Sequence, residues 1–386
     1  MNKRVVVWVL AMVLSIPAIR SADESTGLIP PSPSEECRSA VVMECSSGEI
    51  IFEQNGRERL APASMTKMML VLIAMDRVTS GDLAMNDPIT VSARASKMGG
   101  SQVYLAHNEI FPFEELMKAV IIQSANDASV AIAEHIGGSV EGFVDMMNAM
   151  AVKLGLEETT YQTPHGLPPG KDQEPDLTSA RDLAVLAREL IMRHPEILKW
   201  SCLDTEPFRD GKFLMTNTNR LIKQFAGCDG LKTGYYRSAG FCVTATAEQD
   251  GVRIITVVMG CEKGKTRFSE AARLMKWGLL QYRKMELIRA GTPCERAIPV
   301  VAGELVETTP VTVSSVAAVV RRDRMNEVIM KTTLDRELTA PVQTGQTCGT
   351  IAFLLGDHEI GRTELQTAEA IPALGWWGKL MRAVGL

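Results

Sequence analysis

The sequence has no GxSxG elbow, no HExxH and no CxxC, and its 5 histidines are dispersed. A Ser-His-Asp triad of the elbow kind has no starting point here, and neither a helix-borne zinc pair nor a cysteine-held zinc is supported. Long basic runs are missing too: 41 Lys and Arg stand against 46 Asp and Glu, a net charge of -5 spread along the chain. That balance offers a polyanion no surface, which argues against nucleic acid and leaves small-molecule or polymer substrates.

The apolar stretch near the start, Val5 to Ile16, falls short of the ~20 residues needed to cross a bilayer. With Lys3 and Arg4 before it and small residues after it, residues 1–22 read as a removable secretory signal, cleaved after Ala18 or Ser21. The expected working place is therefore outside the cytoplasm. The 8 cysteines are scattered without a framework, and a chain of this length can bury a core without staples. Most are expected to be free, buried thiols, with one or two bridges left open.

What is present fits at least two domains: 386 residues, 46% hydrophobic. From about Glu35 the chain alternates as strand, turn and strand, with Ser47-Gly48 at the turn. From Ser64 to Val78 it is apolar almost all round, the pattern of a buried helix. Helices are expected at Phe113–Gln123 and Ala125–Ile136, and after a Thr178 or Ser179 cap. Strands resume near residue 229, with an Asp250-Gly251 hairpin and a last helix at about Lys265–Tyr282. Strands from both ends of this first domain flank a helical middle, so one sheet with helices packed on it is expected.

Beyond about Met285, short β-rich runs with turns roughly every ten residues indicate a small all-β domain, sandwich or barrel. The end, IPALGWWGKLMRAVGL, reads as an amphipathic helix. Leu374, Trp377, Leu380, Met381 and Val384 fall on one side, Lys379 and Arg382 on the other. It suits a membrane interface, and a helix docked on its own protein is the alternative.

Three segments carry chemistry. In PASMTK, Pro62 opens a helix whose first turn bears Ser64 and Lys67, three apart and on one face. A serine hydroxyl needs a base, and a lysine serves only if burial or a second cation lowers its pKa from ~10.4. In QSANDAS, Ser124 and Asn126 open a further helix. In LKTGYY, Lys232, Thr233 and Gly234 lie on a strand where glycine lets a backbone approach closely. Alone, S-x-x-K is a common accident of composition.

Together and in this order, S-x-x-K, S-x-N and K-T-G resemble the penicillin-recognising serine acyl enzymes, the group of class A β-lactamases and penicillin-binding proteins. Within it the chain is most similar to the low-molecular-mass penicillin-binding proteins that are D-alanyl-D-alanine carboxypeptidases. The likeness runs through APASMTK, GGSQVYL, QSANDAS, DLTSARDLA, DGLKTGY and GTIAFLLGDHEIG.

The resemblance implies an α/β (α+β) transpeptidase-like domain over 30–284, a central antiparallel sheet flanked by helices. It further implies a small all-β sandwich at 285–369 and an amphipathic membrane-anchoring helix at 370–386. It implies Ser64 as nucleophile, Lys67 as base, and Ser124 with Lys232 as proton relay to the leaving amine. Asn126 would hold the substrate's amide side, Thr233 and Lys232 its carboxylate, and the backbone N–H groups of Ser64 and Tyr235 the oxyanion, beside Gly234. The implied partners are a peptidoglycan stem peptide ending in D-Ala-D-Ala, β-lactam antibiotics and the membrane surface. No cofactor and no metal are implied.

Two departures stand out: the middle motif is S-A-N where S-G-N is frequent, and Tyr235 follows K-T-G where some members have histidine. Arg220 is either a second carboxylate contact or a solvated surface residue. The rival readings are a class A-like β-lactamase with Glu174 as deacylating base, a D,D-endopeptidase using the same residues, and an inactive wall-binding scaffold. His135 and His165 read as a helix-end and a loop histidine, and Gly99-Gly100-Ser101 as either a cleft lining or a plain turn.

Overall fold

The protein is described by a computed structural model covering residues 6–9, 29–170 and 173–383. The expected signal at 1–22 lies outside the described residues except Val6–Val9, whose backbone pairs antiparallel with Lys331–Leu334. The chain divides into two compact units that meet in sequence between residues 280 and 281.

The larger unit is built on a five-stranded antiparallel sheet. Its strands are β1 (Ser39–Glu44), β2 (Ile50–Gln54), β3 (Cys228–Tyr236), β4 (Gly240–Gln249) and β5 (Val252–Cys261), in the order β2-β1-β5-β4-β3. The first two come from the start of the unit and the last three from its end, as the alternating runs predict. Every residue of β1 is buried, and the hairpin β4–β5 closes at Asp250-Gly251, both with positive φ. A disulfide joins Cys37, just before β1, to Cys261 at the end of β5. Among the remaining cysteines, Cys45, Cys228, Cys242 and Cys348 are buried, Cys294 is half-buried and Cys202 is exposed.

The helical middle holds α1 (Lys67–Ser80), α2 (Phe113–Lys118), α3 (Asn126–Gly137), α4 (Val140–Lys153) and α5 (Ala180–Arg193). In α1, every residue from Lys67 to Met75 is buried, so it is the axis of the core. Gly81, at φ 80°, ends it by donating to the Arg77 and Val78 carbonyls. Ser179 caps α5 by accepting from the Asp182 amide, and α6 (Gly264–Gln281) closes the unit. The expected helix at Phe113–Gln123 is α-helical only to Lys118. Ala119–Gln123 form a π turn that ends in Ser124.

The second unit is all-β. A sheet of Val328–Leu334, Thr347–Leu355, His358–Thr367 and Pro310–Thr312 covers a small core that includes Val316, Ile351, Phe353, Leu365 and Ile371. The helical part of the tail is Trp376–Ala383. Residues 371–374 are extended rather than helical, correcting the expected start at 370. Ile371 is buried and exchanges backbone hydrogen bonds with Val342, Pro372 has no N–H to give a helix, and the Leu374 amide donates to Ala302. Trp376 and Trp377 are exposed, with their rings 4.4 Å apart. The expected facing of Lys379, Leu380, Arg382 and Val384 lies outside the described side chains. Among the described residues no helix is long and apolar enough to cross a membrane.

Candidate active site

Ser64 lies in a 3-10 turn, Ala63–Thr66, that feeds directly into α1. The turn starts with Ala63 at φ 49°, the left-handed region that residues with a Cβ seldom occupy. Two glycines show what holds it. A Cβ on Gly234 would lie 2.3 Å from the Pro62 carbonyl oxygen and 3.3 Å from the Ser64 nitrogen. A Cβ on Gly166 would lie 2.0 Å from the Ala63 carbonyl oxygen. Strand β3 and the loop at 163–166 therefore press on the turn from two directions and over-determine its geometry. The close approach that Gly234 permits is to the serine's own turn.

Lys67 is fully buried. Its Nζ is 3.0 Å from Ser64 Oγ, 2.7 Å from Asn126 Oδ1 and 2.6 Å from the His165 carbonyl oxygen. The amide of Asn126 is oriented by its Nδ2, which donates to the Gly99 carbonyl at 2.7 Å. Two of the three partners can only accept. A neutral Lys67 amine gives its two N–H bonds to them and turns its lone pair to the Ser64 hydroxyl. Burial pushes Lys67 well below its ordinary pKa, and the Lys232 charge pushes it further, against an opposite pull from Asp176 and Asp127. Both routes to a basic lysine, burial and a second cation, operate together.

The second wall is the corner at Ser124. This residue is buried, has φ 63°, and joins the π turn to α3. Asn126 follows it and is held at its backbone too, its amide donating to the Ser101 carbonyl at 2.7 Å. Gly99 and Ser101 thus bind Asn126 through their carbonyls, so the Gly99-Gly100-Ser101 turn packs against this corner. The next residue, Asp127, is buried and accepts from the amides of Val103, Leu105 and Ala128.

The third wall is β3, the sheet's edge strand, carrying Lys232, Thr233, Gly234 and Tyr235 opposite Thr244, Val243, Cys242 and Phe241 of β4. Being at the edge leaves one side of its backbone free of a sheet partner. Lys232 is buried and its pKa falls to about 7, from burial first and then the charge of Arg267. Thr233 Oγ1 donates to Thr218 Oγ1 at 2.6 Å. The Tyr235 ring is half exposed and stacks on Phe241, centroids 4.1 Å apart.

The structure thus brings Ser64, Lys67 and Asn126 into one hydrogen-bonded cluster, with Gly234 against the Ser64 turn. Glu174 and Arg220 are exposed, and His135 sits in the last turn of α3. Several contributors carry no sequence signal. The His165 carbonyl is a backbone group, and Arg267 is one basic residue on α6. Its Nη1 donates to the Gly234 and Cys242 carbonyls at 3.1 and 3.2 Å. Asp176 is buried and accepts from the Thr163 hydroxyl at 2.7 Å and from the Gln162 and Thr163 amides, which fixes the loop that presents the His165 carbonyl.

The chain is similar in sequence and fold to known proteins. Residues 27–263 match the family described as D-alanyl-D-alanine carboxypeptidase, and residues 282–373 the penicillin-binding protein 5 C-terminal domain. The D-alanyl-D-alanine carboxypeptidase DacF of Bacillus subtilis is 34% identical over 91% of this chain and 90% of its own. The structure of penicillin binding protein 5 from Haemophilus influenzae superposes with a TM-score of 0.65 at 29% identity, covering 89% of this chain and 99% of that one. Penicillin-binding protein D2 from Listeria monocytogenes, in its ampicillin-bound form, superposes at 0.59 with 28% identity over 65% of this chain and all of that one.

Proposed function

Since the chain belongs to the D-alanyl-D-alanine carboxypeptidase family of serine peptidases, we propose that Ser64, Lys67 and Ser124 carry its removal of terminal D-alanine from peptidoglycan pentapeptides. The observation that carries this reading is the buried Lys67 amine, hydrogen-bonded to two obligate acceptors and to the Ser64 hydroxyl.

In the first half-reaction Ser64 Oγ attacks the carbonyl carbon between the two D-alanines as its proton passes to Lys67 Nζ. The oxyanion forms at the backbone N–H groups of Ser64 and Tyr235, each such donor contributing about 3 kcal/mol in a comparable hole. The C–N bond breaks as Ser124 Oγ, with Lys232 behind it, gives the leaving amine a proton, and the proton that Lys67 took from Ser64 passes in to replace it, so Lys67 is neutral again. D-alanine departs and leaves an ester on Ser64. Water, deprotonated by Lys67, then attacks that ester and releases the shortened peptide. Thr233 and Lys232 receive the substrate's carboxylate, a hydroxyl and a cation for an anion, and Asn126 the amide of the acyl portion.

A β-lactam presents the same carbonyl and carboxylate and is expected to acylate Ser64 in the same way. Residues 30–284 form the catalytic part of this proposal and 285–369 a positioning part. The tail at 370–386 places the exported protein on the outer side of the cytoplasmic membrane through its Trp376-Trp377 pair and basic residues.

Fluorescent penicillin labelling, with mass spectrometry of the products from a defined pentapeptide and from a cross-linked dimer, tests the reading. Wild-type chain should label at Ser64 and release D-alanine from the pentapeptide, and Ser64→Ala should do neither. Label on Ser64→Ala would remove Ser64 from its role, and cleavage of the dimer alone would assign endopeptidase action.

A further inference from the structure

Tyr104 stands out on the rim of the Ser124–Asn126 corner. Its φ is 58°, an outlier for an aromatic residue, and its side chain is 66% exposed while Val103 and Leu105 on either side are buried. Three polar contacts hold it that way. The amides of Val103 and Leu105 each donate to the buried Asp127 carboxylate at 3.1 Å, and Arg209 Nη2 donates to the Tyr104 carbonyl at 2.6 Å. The chain is thus pinned before, at and after a ring that it directs outward.

The ring has support on one side. It meets Phe213 edge-on, with centroids 5.9 Å apart at 77°, and the next residue, Leu214, is 59% exposed. Phe213 and Leu214 belong to the strand Phe213–Thr216, whose Thr216 amide donates to Gln123 Oε1, next to Ser124, at 2.9 Å. The Tyr104 loop is tied to the same corner, since Gly99 and Ser101 bind Asn126. The charges nearby are paired: Arg209 Nη2 lies 2.7 Å from Glu109 Oε2, and the Arg209 amide donates to Glu115. The Tyr104 ring, Phe213 and the exposed Leu214 thus form an apolar patch, flanked in sequence by the exposed Lys212 and Thr216.

We propose that Tyr104, braced by Phe213, is a specificity-determining residue that receives the aliphatic side chain of the residue preceding D-alanyl-D-alanine in the substrate. The inference rests on Asn126 facing the acyl part of the substrate, as in the proposed function. The bound side chain lies along the ring face and Leu214, and apolar length is what this wall rewards.

The experiment measures kcat/KM of the full chain on acetyl-norleucyl-D-alanyl-D-alanine and acetyl-glycyl-D-alanyl-D-alanine, for wild type, Y104G, Y104F and F213A. Glycine suits φ 58°, so Y104G keeps the loop while removing the ring. The norleucine-to-glycine ratio should favour norleucine in wild type, fall about tenfold in Y104G, fall less in F213A, and stay within twofold in Y104F. No preference in wild type, or an equal loss on both substrates in Y104G and F213A, overturns the assignment. Failure of the catalytic reading is distinguishable, because it appears as label or turnover surviving in Ser64→Ala whatever the ratio.

Discussion

Gly234→Ala is the most direct test of how the site is assembled. The added methyl would sit 2.3 Å from the Pro62 carbonyl oxygen, 3.2 Å from Ala63 Cβ and 3.3 Å from the Ser64 nitrogen. The nearest atom is backbone, within a turn already held at φ 49° by the Gly166 side, so neither partner can rotate away. Restoring an ordinary contact of ~3.4 Å requires β3 and the Ser64 turn to separate by about 1 Å. Overpacking of this kind costs about 1–3 kcal/mol of stability. A displacement of about 1 Å between reacting groups costs about 100-fold in rate, or about 2.7 kcal/mol of barrier. The loss in chemistry should therefore be at least comparable with the loss in folding. The assay is the second-order rate of Ser64 acylation by a fluorescent penicillin, alongside the melting temperature. A folded Gly234→Ala protein that acylates within about threefold of wild type would refute the account of β3 pressed on the nucleophile's turn.

The remaining predictions concern the base, its clamp and the tail. Acylation requires neutral Lys67, so the rate should rise with pH and level off well below 10.5, because burial lowers the lysine's pKa. At an ordinary value only about one amine in a thousand would be neutral at pH 7.5, and a rate still climbing tenfold per pH unit near pH 10 would contradict the burial argument. Asn126→Ala removes the 2.7 Å acceptor of Lys67 and the tie to Gly99, and should lower penicillin acylation about 100-fold in single-turnover measurements while the protein stays folded. Truncation after Gly375 should release the protein from membrane fractions with its melting temperature unchanged. Truncation after Glu369 should also cost roughly 2 kcal/mol or more in a urea melt, because buried Ile371 and its bonds to Val342 are lost.

Much of this was legible in the residues. The run from Met68 to Met75 is apolar on all sides, which only a buried helix satisfies, and α1 is that helix. The Asp250-Gly251 pair takes the positive φ values its hairpin needs. Ser64, Lys67, Ser124, Asn126 and the K-T-G strand were legible as candidates because the roles proposed for them belong mostly to side chains. What stayed hidden belongs to the backbone or to distant pairings. The positive φ at Ala63 follows from Gly166 and Gly234, 103 and 171 positions away, pressing on one turn. The His165 carbonyl has no residue type to betray it, and Cys37 finds Cys261 only once β1 and β5 are neighbours. The late start of the tail helix was masked by amphipathic spacing that continues through Leu374, where β-domain carbonyls compete for the backbone.

The site's electrostatics bear on how one pocket can supply both a base and an acid. Lys67 and Lys232 are buried in it and Arg267 is half-buried beside them, and Arg267, its pKa lowered by burial to about 10, stays charged at neutral pH. Burying three cations together is costly unless some give up a proton, and Lys67 is the one most strongly pushed to do so. Lys232, brought to about 7, is held near the balance point. A substrate carboxylate arriving beside it shifts that balance, since an adjacent anion favours the protonated amine. In the proposed reaction, docking of the terminal carboxylate therefore charges Lys232 at the moment a donor for the leaving amine is needed. Lys67, bonded to neutral acceptors, remains the base in that reaction. In that proposed reaction the two lysines are separated in role by what lies against each: Asn126 Oδ1 and the His165 carbonyl against Lys67, and the arriving carboxylate against Lys232, whose Nζ otherwise donates a longer bond of 3.3 Å to the Thr233 carbonyl.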